Sequence, residues 1–392
     1  MFECKFITNG MSIQYDGVIR PCCTWVVDEK WKKENHYTKI NNIENWHNSP
    51  QVVEKREMLE RGEWPSNCVN CKNAEESGRN DSMRGNGNNA YYHYDEKDIT
   101  IEIRPGSVCN FSCQSCWPEA SSRVRHFMDK AGLIDKNEVD SSSITNFEFL
   151  SPVSHRIKDI VLLGGEPFYD KNCLKFLRWA VENIDANIMI FTNGLYIDYD
   201  FIESYKSNIT LILSIDAVGD PADYIRYGSD WNKVRENYFK VRKYNHVEVR
   251  VNITTSVYNF CYLEELLDFF REDWPDLVTF GYAHEPHLQP NVIPLEKRPK
   301  IIQSLERIPN KIWKSDIHED QQHNTINAIV SIINKLKHDT FNLEQYTYLC
   351  SYIEKMDRVK KISIKSYCPE LYEILFSNNS SLINYSSQME KK

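Results

Sequence analysis

From residue 98 onward, short apolar runs alternate with longer stretches of helical period. The runs are ITIEIR (99–104), DIVLLGG (159–165), NIMIFTNG (187–194), ITLILSID (209–216), VEVRVNITTS (247–256) and LVTFGYA (277–283). Each is short and rich in β-branched residues, as strands buried on both faces are. Between them, KNCLKFLRWAVEN (171–183) and CYLEELLDFFRE (261–272) carry apolar residues at helical spacing. Six strand-then-helix units of this kind predict an α/β fold with a parallel sheet. Function in such folds sits at the carboxyl ends of the strands, where each run here gives way to a polar or Gly-containing loop.

The flanks differ. Residues 1–94 are polar, show little periodicity and lead into RGNGNNAYYHYDE, a Gly/Asn-rich stretch with linker character. A segment so poor in apolar runs is expected to need a staple, and metal is the usual one in small cores. After residue 290 the pattern turns helical: NTINAIVSIINKLKHD (324–339) and LEQYTYLCSYIEKM (343–356) each carry an apolar face, and the tail SSLINYSSQMEKK is expected to fray. The chain therefore divides into 1–94, 95–290 and 291–392.

Cysteine placement sharpens this division. Of 12 cysteines, Cys4, Cys22, Cys23, Cys68, Cys71, Cys109, Cys113 and Cys116 fall in the first 116 residues. Cys173, Cys261, Cys350 and Cys368 are scattered in apolar or helical contexts and read as small buried hydrophobes. No apolar run approaches the ~20 residues of a membrane span, and the start lacks a secretory pattern. A cytoplasmic location is expected, where clustered thiols signal metal or redox chemistry rather than disulfides. With 47 Lys and Arg against 56 Asp and Glu, the net charge of −9 does not suggest a nucleic-acid surface.

The stretch IRPGSVCNFSCQSCWP places Cys109, Cys113 and Cys116 in a C-x3-C-x2-C loop directly after the first strand. A closed zinc site wants four ligands. Three thiolates on a cubane cluster leave one iron open, and an open position is where a substrate binds.

The loop resembles the signature of the radical S-adenosylmethionine (SAM) superfamily. The resemblance covers residues 98 to about 290, and it implies a partial (β/α)6 TIM-type barrel, a SAM-binding [4Fe–4S] cluster and bound SAM. LLGGEP (162–167), with Gly164, Gly165 and Glu166, looks like the motif that receives the SAM amino group. FTNG (191–194), with Asn193, closes the third strand. In LSIDAVGDPADYIRYG (213–228), Ser214 and Asp216 would lie near the ribose or methionine moiety and Arg226 would meet the SAM carboxylate. Asn252 on the fifth strand is carried over as well. The family usually has an aromatic residue before the third cysteine. Ser115 stands there instead, and Trp117 follows Cys116 with a partly packing role expected.

The first ninety residues contain C-x12-G-x4-C, from Cys4 through Gly17 to Cys22, and then C-x2-C at Cys68 and Cys71. This is similar to the twitch or SPASM type of auxiliary iron–sulfur module, here preceding the core, with a β-hairpin turning at Asp16-Gly17. Cys4, Cys22, Cys68 and Cys71 would ligate a second, fully coordinated [4Fe–4S] cluster. Cys23 could replace Cys22, and the spacing alone suits a four-Cys zinc site equally. Cysteines for a third cluster are absent, so two clusters in all are expected.

The resemblance implies an enzyme: SAM is cleaved reductively, and hydrogen is abstracted from a peptide or small metabolite. The auxiliary cluster would serve electron transfer, and a donor such as flavodoxin or ferredoxin would supply electrons. His284, Glu285 and His287, Glu102 and Arg104, and SMRGNGNN (82–89) are further candidates for the mouth. Two other readings stay open: a nucleotide or cofactor-precursor rearrangement of the molybdopterin-biosynthesis type, and a non-catalytic iron–sulfur carrier or scaffold. Membrane and nucleic-acid partners are not expected.

Overall fold

The computed structural model describes residues 4–77, 82–86, 97–283, 285–315 and 317–377. The expected linker lies largely outside the described residues, as do His284 and the tail from residue 378.

Among the described residues there are ten strands, in chain order β1 (Gly10–Ile13), β2 (Ile19–Arg20), β3 (Ile99–Ile103), β4 (Ser112–Cys113), β5 (Ile157–Leu162), β6 (Asn187–Thr192), β7 (Ile209–Ser214), β8 (Arg226–Tyr227), β9 (Val247–Thr255) and β10 (Leu277–Tyr282). Eight of them form one sheet in the order β10-β9-β7-β6-β5-β3-β1-β2. Neighbours run parallel from β10 to β1, and only β2 is antiparallel. This is the α/β fold of a partial TIM-type barrel. All six predicted strands are found within a few residues of their expected limits, and the helix Lys171–Asn183 matches its predicted span.

The sheet has two strands beyond the six expected. β1 lies parallel against β3, pairing Gly10 to Ile13 with Thr100 to Ile103. The edge of β3 would otherwise present unpaired N–H and C=O groups, and β1 supplies their partners. The hairpin turns where the sequence predicts. Gly17 has φ +74°, and its N–H donates to the Gln14 carbonyl at 2.8 Å. A Cβ there would come within 2.6 Å of the His36 ring.

Residues 1–94 have a core after all, built of isolated aromatics rather than apolar runs. Trp25, Trp31 and Trp46 are buried and belong to the same hydrophobic cluster as Ile101, Ile160 and Leu211 of the barrel. Trp25 and Trp31 pack with ring centres 4.7 Å apart. Trp31 Nε1 donates to the Ile19 carbonyl and Trp46 Nε1 to Asn35 Oδ1. Trp31 and Trp46 thus bury their rings without leaving the N–H unpaired, whereas Trp25 Nε1 is buried without a hydrogen-bond partner.

The inner wall of the half-barrel is a separate small cluster of Val161, Met189 and Ile212, with Leu163 and Phe191 against it. Along β9, burial alternates strictly, so Glu248, Arg250, Asn252 and Thr254 share the less buried face. The C-terminal segment folds as helices, chiefly Glu319–His338 and Leu343–Lys360. No helix among the described residues is long and apolar enough to cross a membrane.

Candidate active site

The Cys109–Cys116 loop is held on two sides. Its middle forms β4, which pairs antiparallel with β8, so that Ser112 faces Tyr227 and Cys113 faces Arg226. The ladder continues with the Gln114 N–H donating to the Ile225 carbonyl at 2.8 Å. On the second side, the Glu166 N–H donates to the Val108 carbonyl at 3.0 Å, and Asp170 accepts from the Val108 N–H at 3.1 Å. Gly165 is required by this approach: a Cβ would lie 2.3 Å from the Val108 oxygen and 2.4 Å from its carbonyl carbon. A Cβ on Gly164 would meet Cys173 Sγ at 2.8 Å. Cys173 is fully buried, as expected of a small hydrophobe.

These loops enclose a cavity of about 210 Å³. Cys109, Cys113 and Cys116 line it, together with Gly164, Gly165, Glu166, Asn193, Ser214 and Arg226. Sites read from four separate strand ends are therefore brought together. Burial pushes all three thiols up, Cys116 to about 12. Thiols in such a place give up their protons readily only to a cationic centre, which is what cluster binding supplies.

Arg226 donates from Nη1 to Asp216 Oδ2 at 2.7 Å. Asp216 also accepts from the Thr254 N–H at 2.7 Å and is wholly buried. Burial alone would lower the arginine's pKa, but Cys113 and Asp216 outweigh it and hold the guanidinium charged. Arg226 Nε is buried without a hydrogen-bond partner. One part of the fork is thus fixed on Asp216 and another is open for a ligand carboxylate.

Glu166 is 1% exposed, and its carboxylate is already engaged. It accepts from Thr192 Oγ1 at 2.6 Å and from the backbone N–H groups of Asn193 at 2.7 Å and Phe168 at 3.3 Å. Burial raises its carboxyl to about 7 against the pull of these bonds. It organises the floor of the cavity by tying the β5 loop to the β6 loop. Asn193 extends this link, donating from Nδ2 to Asn110 Oδ1 at 2.8 Å.

Two expected residues lie elsewhere. Asp216 stands behind Arg226 rather than on the cavity wall, and Asn252 is outside the lining, its Oδ1 accepting from Thr279 Oγ1 at 3.1 Å. Trp117 is 44% exposed at the cavity rim, so its packing share is smaller than the sequence suggests. Arg104 does line the cavity, and its Nε is buried without a partner. Glu102 is turned to Ser12 and Gln14.

The N-terminal thiols converge on a second cavity. Cys4, Cys22, Cys68 and Cys71 all line it, with Trp25, Trp64 and Leu59 forming apolar walls. The helix Val69–Glu76 begins at Cys68, which places Cys71 beside it. Burial raises the thiols of Cys4, Cys22 and Cys68, Cys22 to about 12. Cys23 does not line this cavity. It is exposed, and the Glu102 carboxylate stands beside it. Arg84, within SMRGNGNN, reaches the cavity wall and pairs with Glu75.

Among the described residues no three His, Cys, Asp or Glu side chains are close enough to share a single metal ion. His287 packs its ring against Tyr348 and Tyr352 of the C-terminal helix. Sequence reasoning missed Asn110, Thr192, Thr254 and Lys360. The first two sit inside recognised motifs, which was a usable signal. Lys360 lies about 250 positions downstream of the loop it touches and gave none.

Comparison with known proteins gives limited likeness. No protein-family model matches the chain. A GTP 3′,8-cyclase of Rhizobium leguminosarum bv. trifolii (strain WSM2304) is 26% identical over 182 residues, covering 45% of this chain and 46% of that protein. The chain thus matches under half the length of that relative. This similarity supports the radical SAM resemblance carried by the motifs. Among solved structures, anSMEcpe with bound AdoMet is 19% identical at a TM-score of 0.40, covering 55% of this chain and 61% of that one. Streptococcus suis SuiB is 13% identical at a TM-score of 0.36, covering 78% and 69%. Likeness at those scores does not bear on the reaction.

Proposed function

We propose that this chain is a radical SAM enzyme acting on a peptide or small metabolite. Cys109, Cys113 and Cys116 would hold a [4Fe–4S] cluster, and SAM would lie beside it. The supporting observation is convergence: three half-buried thiols and a guanidinium with an open donor share one cavity with the Gly164-Gly165 backbone. Bound on Cys109, Cys113 and Cys116, such a cluster would supply one-electron reduction of SAM, the chemistry needed for hydrogen abstraction from a substrate.

The chain's own part is binding and orientation. Arg226 receives the SAM carboxylate, and Asp216 fixes the direction of its fork. The backbone at Gly164 and Gly165 approaches the amino group closely, and Glu166 holds that loop in shape. Asn193 and Ser214, which line the cavity, are assigned to the remaining SAM contacts. Leu163 and Phe191 on the wall exclude water.

Residues 1–94 would form a twitch-like module whose second [4Fe–4S] cluster, on Cys4, Cys22, Cys68 and Cys71, passes electrons. Residues 95–290 would form the catalytic core, and 291–392 would be a separate extension, helical over its described part. Convergence of the four thiols on one cavity supports this reading. Flavodoxin or ferredoxin would be the donor. A second reading, rearrangement of a nucleotide or cofactor precursor, is favoured by the unpartnered Arg104 Nε in the cavity, a ready phosphate contact.

The test is anaerobic purification, iron and sulfide analysis, and incubation with dithionite and SAM. About eight irons should be found, falling by about four when Cys109, Cys113 and Cys116 are all changed to Ala. 5′-Deoxyadenosine should form only with the native chain. Full clusters without any SAM cleavage, with peptides or GTP present, would favour the electron-carrier reading.

A further inference from the structure

Lys360 ends the helix Leu343–Lys360 and is 3% exposed. Its Nζ donates to the Ser112 carbonyl at 2.9 Å and to Gln114 Oε1 at 3.3 Å. Neither acceptor carries charge. The Tyr227 ring lies 5.3 Å away, and the Tyr227 hydroxyl donates to the Lys360 carbonyl at 2.9 Å. Lysine is almost never fully buried without an opposite charge. Asp357, one turn back, is engaged with the Tyr224 hydroxyl at 2.8 Å and the Ile364 N–H at 2.7 Å. Arg123 adds a second cation over the Tyr227 ring, 5.5 Å from its centre.

What Ser112 and Gln114 bracket is Cys113. The amine is thus fixed against the middle of the cysteine loop; burial pulls its pKa down to about 7, while Cys113, Asp357 and Cys116 favour its charged form and Arg123 opposes it. We infer that Lys360 is the buried counter-charge of the cluster held by Cys109, Cys113 and Cys116, and that it raises the cluster's reduction potential. This rests on the proposed reading of those thiols. A reduced cluster with its thiolates is one unit more negative than the oxidised form. A fixed cation in a water-poor site therefore stabilises the reduced form more. The helical extension then has a redox role, delivered by one side chain.

The experiment is an EPR-monitored redox titration of the reconstituted full chain, comparing native, Lys360→Gln and Lys360→Arg. The signal that changes on SAM addition identifies the cluster with an open iron. In Lys360→Gln, at a poise near the native midpoint, the reduced-to-oxidised ratio should drop about tenfold, equivalent to 59 mV for one electron. Lys360→Arg should stay near native. An unchanged midpoint in Lys360→Gln at native iron content overturns the inference. If Lys360→Gln binds no iron, the Arg variant decides. Native cluster and midpoint in Lys360→Arg support a charge requirement, whereas loss of iron there too shows a packing role and overturns it. A native chain that builds no SAM-responsive cluster refutes the underlying reading instead.

Discussion

Cys113 and Arg226 face each other as register partners in the two-stranded β4–β8 ladder. The residue proposed to hold iron and the residue proposed to hold the SAM carboxylate are thus fixed by one pair of backbone segments. Replacing Arg226 by Gln should leave iron content near native and weaken SAM binding at least tenfold. Truncating one member of a buried charge pair typically costs about 2–5 kcal/mol. Asp216→Asn should weaken SAM binding less, while lowering thermal stability. Calorimetric titration of SAM into each variant checks both.

The auxiliary cavity discriminates between adjacent cysteines. Cys22 lines it and Cys23 does not. Cys22→Ala should therefore lose about four irons, the content of one cubane, and Cys23→Ala should lose none. Equal loss in both would mean that the two thiols exchange.

Gly165→Ala should disrupt the loop clasp. Its Cβ would meet the Val108 carbonyl carbon and oxygen, which are backbone and cannot rotate away. The expected result is loss of the cluster on Cys109, Cys113 and Cys116, with the N-terminal thiols still able to bind iron. Iron analysis separates the two sites.

Glu166 predicts a pH dependence. Its carboxyl titrates near 4.5 when unfolded and about 7 when folded, chiefly through burial. The folded state therefore prefers the proton. That contribution to stability is complete below about 4.5 and is lost as pH rises through about 7. Between pH 5 and 8 the SAM-free native chain should lose stability relative to Glu166→Gln, by at most about 1.4 kcal/mol per pH unit. Thermal melts of both proteins across that range test the sign.

Much of this was legible in the sequence because it is local. The helix Lys171–Asn183 starts at Asp170, which caps the Asn172 N–H, and its apolar spacing runs unbroken to Asn183. The three-thiol loop and the LLGGEP stretch carry their chemistry in consecutive residues. The rest depends on direction and distance. Ser214 and Asp216 share a parity, but β7 ends at Ser214, and the chain then turns Asp216 behind Arg226. β1 is four residues with no alternation, all buried, and its partner lies some 90 positions away. Lys360 sits at the end of an amphipathic helix, where a lysine ordinarily faces water.

The pairing of β1 with β3 has a consequence for assembly. Thr100 to Ile103 must exist before Gly10 to Ile13 can find their place. During synthesis, β1 therefore waits for the first barrel strand to emerge before it can dock on the sheet. The same pairing makes the hairpin a guard. A shortened chain beginning after residue 94 would bare the edge of β3, an apolar strand with open hydrogen-bonding groups, and such a chain should self-associate.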